Sequence, residues 1–244
     1  MISVFARREI YSGFVTPLPW IIFSTGQIVL AWIFLQVIER FSSLDAAARQ
    51  MSLTQELTLN LFGFAAIITM LTAPILAMRM FSSEFRDGSF DLIAAAPVRF
   101  GSVVIGKLLG LMILILPLCL LPALNALLLI GTAELDLWQL AAATLGLFLA
   151  TLLFAAIGLY ASSLTAQPGA AVLIAFAMML LLSIIGHAKT LTTNTLSLFE
   201  WLSWNEHLFW FLLGTVRMSD LAYFLLFTLF FLLLTQRRLV NRRL

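Results

Sequence analysis

Six stretches of this chain run for 16 to 24 residues without one charged side chain: about 17–38, 57–78, 108–131, 137–160, 169–186 and 221–236. A helix needs about 20 apolar residues to cross the hydrocarbon core of a bilayer, and lipid offers no partner to a bare backbone N–H or C=O. Runs of this kind therefore predict an all-α integral membrane protein, a single transmembrane domain over residues 1–244 with six transmembrane helices. The last two runs are the shortest, and they cross only with little tilt or by continuing into their flanks. Composition agrees, since 62% of the 244 residues are apolar and 11% are charged, against roughly half and about a quarter in a soluble domain.

The net charge is only +2, and the basic residues sit at the ends of apolar runs. They form no stripe interleaved with aromatic rings, which speaks for membrane topology and against nucleic acid as a partner. Cytoplasmic loops near a membrane are enriched in Lys and Arg. With six crossings and the N-terminus inside, the inner segments hold Arg7, Arg8, Arg79, Arg86, Arg99, Lys107, Arg237, Arg238, Arg242 and Arg243, ten residues against four outside, Arg40, Arg49, Lys189 and Arg217. Both termini are thus expected in the cytoplasm. The first run is too long for a cleavable signal and no A-x-A-like site follows, so it is expected to be retained. Ahead of it, Ile2, Phe5, Ile10 and Phe14 alternate with Arg7, Arg8 and Glu9, which suits a short interfacial helix or a plain polar lead-in.

Two segments between the runs carry the remaining polarity. Residues 79–107 hold seven charges with Gly88, Pro97 and Gly101, room for a short amphipathic helix and a turn on the inner side. Residues 187–220 crowd Phe199, Trp201, Trp204, Phe209, Trp210 and Phe211 around Glu200, Asn205, Glu206 and His207. Such rings favour the headgroup level, so one or two interfacial or re-entrant helices are expected at the outer leaflet.

The chemistry-bearing motifs are few. Gly101 to Leu108 reads G-x-x-x-x-G-K-L, but a phosphate-binding loop needs Ser or Thr after the Lys and a strand before the first Gly, and neither is present. Gly106 and Gly110 form G-x-x-x-G, and Ala142, Gly146 and Ala150 repeat a small residue every fourth position, the pattern that lets membrane helices approach closely. Whether those faces meet within one chain or across a dimer is open. Gln27 and Asn125 lie inside apolar runs, where they bond helix to helix or line a substrate route. No ionisable residue falls inside the six runs. Pro74, Pro117 and Pro122 are expected to kink their helices. Cys119, the single cysteine, lies in an apolar run and reads as a core residue. His187 and His207 lack a third ligand at metal spacing and read as interfacial polar residues. No hydrolase or protease motif occurs, so the chain is expected not to be an enzyme and to bind no cofactor or metal itself.

The segment Ser83-Glu84-Phe85-Arg86-Asp87-Gly88-Ser89-Phe90-Asp91-Leu92-Ile93 to Pro97, followed by Gly106-Lys107, resembles the cytoplasmic signature of ABC-2 type permeases. That pattern is E-x-x-x-G-T-x-E-x-L, a Pro, and a G-K opening the third span. Here Ser89 stands for Thr and Asp91 for Glu. The stretch from Glu206 to Arg238 is most similar to the branch called gliding-motility-type permeases. The resemblance implies a transmembrane subunit of an ATP-binding-cassette transporter, an exporter of the bacterial cytoplasmic (inner) membrane. It implies that residues 81–97 form a coupling helix docking on a cytoplasmic ATPase, with Phe81, Glu84, Phe85, Arg86, Asp87, Gly88, Ser89, Asp91 and Pro97 at the contact. The implied partners are two copies of that ATPase, which bind ATP and Mg²⁺, a second permease subunit, identical or paralogous, an auxiliary membrane protein with an extracytoplasmic domain, and membrane lipid. Two other classes stay open, an ion-gradient-driven secondary carrier and a non-transporting membrane scaffold.

Overall fold

The computed structural model describes residues 2–43, 51–90, 95, 99–131, 133–185 and 201–243. Its helices are α1 (Ile2–Val15), α2 (Pro17–Ser43), α3 (Leu53–Leu57), a π-helical turn (Thr58–Phe62), α4 (Gly63–Ala77), α5 (Arg79–Arg86), α6 (Phe100–Leu127), α7 (Leu137–Leu164), α8 (Pro168–Ile184), α9 (Trp204–Leu212) and α10 (Met218–Arg243). No β-strand occurs among the described residues beyond one bridge between Ile130 and Ala133.

From α3 to α5 the chain reads end to end as one apolar rod, Leu53–Arg86. With α2, α6, α7 and α10 it makes five helices long and apolar enough to cross a membrane. The fifth expected run is α8, whose 17 residues extend about 26 Å at 1.5 Å each, short of a ~30 Å hydrocarbon core. Length and composition thus supply five of the six expected crossings. Several helices overrun the uncharged stretches: α2 continues past Glu39 and Arg40 to Ser43, and the second run continues past Arg79 to Arg86. A charge ends the lipid-soluble part of a helix without ending the helix.

The central post is α7, with 72% of its apolar window buried, against 28% for α2 and 33% for α10 at the periphery. It packs on α4, α6, α8, α9 and α10. Small residues make that possible: Ala143, Ala150, Ala155 and Ala156 are fully buried, and a Cβ on Gly158 would lie 2.7 Å from that of Ala77. Asp136 fixes where α7 begins, its carboxylate accepting from the N–H groups of Trp138 and Gln139 at 2.9 and 3.2 Å. Pro168 in the first turn starts α8.

The rod α3–α5 breaks briefly at Met78, which brings no side-chain cap to the restart of the helix. Ser162, from α7, fills that role. Its Oγ accepts from the N–H groups of Phe81 and Ser82 at 3.0 and 3.1 Å and donates to Met78 O at 3.0 Å. Ser162→Ala is therefore expected to cost about 1–2 kcal/mol, the loss of a buried cap. Thermal unfolding in mild detergent and faster hydrogen exchange at the Phe81 and Ser82 amides would register it.

Candidate functional site

The rod's last two turns and the segment after them concentrate the polar chemistry at one end of the bundle, which we call the basic end. On α5, Phe81, Ser82 and Glu84 are buried while Arg86 is exposed, because the amphipathic sequence RMFSSEFR lays one face on the bundle. Gly88 then turns the chain at φ +71, a conformation that strains any L side chain. Phe81, Phe85, Phe90 and Phe100 follow one another as a ladder of rings 4.9 to 6.3 Å apart, and the Arg242 guanidinium from the end of α10 lies 3.8 Å over Phe85. The ladder fastens α5, the turn, the start of α6 and the end of α10 into one unit.

Beneath the ladder sits Lys107, only 1% exposed. Its Nζ donates to Glu9 Oε1 at 2.7 Å, Met80 O at 2.7 Å and Glu84 Oε1 at 2.9 Å. An ammonium has three donors and no acceptor, so its capacity is used in full. Arg8 approaches the same Glu84 oxygen at 3.5 Å. Three elements, α1, α5 and α6, are thereby joined through one buried cation. Burying an ion pair costs desolvation that only such complete bonding offsets.

The G-x-x-x-G pair explains how α1 reaches this cation. A Cβ on Gly106 would lie 2.8 Å from Phe5 Cβ, and one on Gly110 2.8 Å from Glu9 Cβ. The two glycines thus form the seat of α1, within the chain, and the close approach brings the short Glu9 side chain to Lys107. Gly101 to Lys107 lie inside the continuous helix α6, so no phosphate-cradling loop exists there. Lys107 stands one residue before the third uncharged run, but the helix begins at Phe100 and so carries it as a buried ionisable group.

The other expected residues divide clearly. Arg86 and Asp87 are exposed and pair with each other at 3.3 Å. Gly88 is exposed, and Phe85 and Ser89 are half-buried. Asp91, Leu92, Ile93 and Pro97 lie outside the described residues. Glu84, taken as a docking charge, faces inward to Lys107 instead. Gln27 Nε2 donates to Asn125 Oδ1 at 3.0 Å, so the two candidate pathway residues bond α2 to α6. Ala142, Gly146 and Ala150 are buried, and a Cβ on Gly146 would collide with Phe211, so this face of α7 receives α9.

At the opposite end, His207 is buried within the protein. Its Nδ1 lies 2.7 Å from Asp220 Oδ1 and its Nε2 2.9 Å from Trp201 O, while its ring stacks on Tyr223 at 4.0 Å. Both ring nitrogens are engaged, which leaves neither to act as a base or a ligand. His187 lies outside the described residues. No family model matches the chain, and no curated protein matches it. Among the described residues no cluster of three metal-ligating side chains occurs either.

Sequence reasoning passed over Glu9, Ser162 and Asp220. Glu9 carried a signal in hindsight, as an acidic residue on the same helix face as Ala6 and Gly13, where α1 is tight against α6. Ser162 and Asp220 carried none, because their partners lie far away in the chain.

Proposed function

We propose that the chain is the transmembrane permease subunit of an ABC-2 type ATP-binding-cassette transporter, working as an exporter and powered by a separate cytoplasmic ATPase that grips residues 81–97. One observation carries the reading. A charged turn, with the Arg86 and Asp87 side chains 61% and 62% exposed, projects from a rod whose root is pinned by Glu84 to Lys107 and through it to Glu9. A push on the turn cannot be absorbed locally, since it is passed to α1 and α6 as a rigid-body displacement. Two such subunits face each other, and two ATPase copies, which hold ATP and Mg²⁺, bind beneath them. The excess of Lys and Arg at this end supports a cytoplasmic side for it, and a crossing by α8 would complete six. The exposed apolar side chains of α2, Ile21, Ile28, Trp32 and Leu35, suit lipid or the second permease.

The test is co-purification with the cytoplasmic ATPases of the source cell, using Arg86→Glu/Asp87→Arg. The exchange keeps the exposed pair, which is worth about 0–1 kcal/mol, and so leaves stability in place. It reverses the charges presented to a partner, so ATPase retention and ATP-dependent transport are expected to fall about tenfold or more. Unchanged retention and transport would remove the proposal. A second reading, a carrier driven by an ion gradient, draws on the buried Glu84 and Lys107 and the half-buried Glu9, of which the two carboxylates line a cavity. Transport stopped by ionophores but indifferent to ATP depletion would put that reading in place of the first.

A further inference from the structure

A cavity of about 270 Å³ opens between α1, the start of α2 and α4–α5 at the basic end. Its floor is apolar, with Leu18, Ile75 and Leu114, while Arg8 and Arg79 stand on its wall. The charges around it do not cancel. Arg8, Arg79, Glu9 and Glu84 line it, and Lys107 lies behind the two carboxylates, bonded to one oxygen of each, while Glu84 Oε2 is buried without a partner. Arg8 keeps a 3.5 Å approach to Glu84, and among the described residues Arg79 has no carboxylate partner at all. At formal charge the group is one positive charge in excess, carried by the two exposed guanidinium groups of Arg8 and Arg79 beside an apolar floor.

The missing partner is defined by those features. It must carry one negative charge, present oxygens to two guanidinium groups, and continue into an apolar body that covers the floor. A carboxylate or free phosphate meets the first two demands and leaves the floor bare. A phospholipid meets all three, since its phosphodiester carries a single charge and its acyl chains begin within a few ångströms of it. Guanidinium is the donor best shaped for phosphate oxygens, and basic pockets between helices on the cytoplasmic side are known to take lipid headgroups. We propose that this cavity holds the phosphodiester of a phospholipid from the leaflet at the basic end, with Arg8 and Arg79 as its ligands. The lipid offsets the excess positive charge of Arg8 and Arg79 beside the α1–α5–α6 junction. The inference does not depend on an ATPase docking at the turn.

The test is native mass spectrometry of the full chain, delipidated in mild detergent and titrated with short-chain phosphatidylglycerol. Dihexanoylglycerol, which lacks the phosphate, and inorganic phosphate, which lacks the chains, are titrated separately. One phosphatidylglycerol per chain is expected, bound roughly tenfold or more tightly than either control, the scale of losing charge-assisted hydrogen bonds. Arg79→Ala removes a side chain with no ion-pair partner among the described residues and so keeps the fold. It is expected to weaken phosphatidylglycerol by about the same factor, with Arg8→Ala/Arg79→Ala weaker still and Arg237→Ala unchanged. Binding of phosphatidylglycerol no tighter than dihexanoylglycerol, inorganic phosphate binding as tightly as the lipid, or an Arg79→Ala variant indistinguishable from the parent would each overturn the proposal.

Discussion

Lys107→Met is expected to destabilise the protein by about 3–5 kcal/mol, the range for removing one partner of a buried ion pair. The size follows from what the substitution leaves behind. Glu9 and Glu84, 13% and 6% exposed, would lose the cation that neutralises both, and Met80 O would lose its donor. An uncompensated carboxylate in this setting costs more than the pair ever contributed, so the loss measures orphaned charge and says little about attraction. The triple variant Glu9→Gln/Glu84→Gln/Lys107→Met discriminates these. It removes all three charges together, and replacing a complete buried ionic group with neutral side chains is often close to neutral, so most of the loss should return. Thermal unfolding in mild detergent, followed by tryptophan fluorescence, gives both values. A single variant that melts with the parent, or a triple variant that falls as far as the single, would show that the cluster is not the buried, closed unit described.

The helices were legible because lipid leaves the backbone one solution, and uncharged runs of the right length mark it directly. The extensions were legible only in part, since residues 79–107 predict a short amphipathic helix but not that Arg79 to Arg86 continues the second run. It is helical because its apolar face packs on α7 and because Ser162 caps its start, and neither fact is local in sequence. The small-residue faces were legible as packing surfaces, but their partners were not. Gly106 and Gly110 seat the amphipathic α1 and not another span, and the face around Gly146 seats α9. Polar pairing was the least legible level. Lys107 could be read as the end of a motif, yet what makes it a junction is Glu9, a residue 98 positions away. His207 and Asp220 are 13 apart, closer than that, but nothing in the residues between them marks the fold that brings them together.

A side chain larger than hydrogen at Gly110 is expected to separate α1 from α6 and to break the junction at Lys107 in the same step. A Cβ there would meet Glu9 Cβ at 2.8 Å and Ala6 O at 3.1 Å, and the first atom of a side chain and a backbone oxygen cannot rotate away. Carbon atoms rest at about 3.5–4.0 Å, so even Gly110→Ala requires α1 to lift by roughly 1 Å. The Glu9 to Lys107 bond, 2.7 Å long, would then exceed hydrogen-bonding distance. Overpacking of about 1–3 kcal/mol and the loss of a charged hydrogen bond therefore combine, and Gly110→Leu is expected to cost about 2–5 kcal/mol. Gly63 supplies the control, since it is also helical but a Cβ would meet nothing within 4 Å. Gly63→Ala should thus be neutral or stabilising by up to about 1 kcal/mol. The coupling shows in a double-mutant cycle: Glu9→Gln should be costly in the parent and nearly free in Gly110→Leu, where the bond is already lost. Additive costs would mean that the seat of α1 and the ion cluster are independent, and a push on the Arg86–Asp87 turn would then have no route through Lys107 into α1.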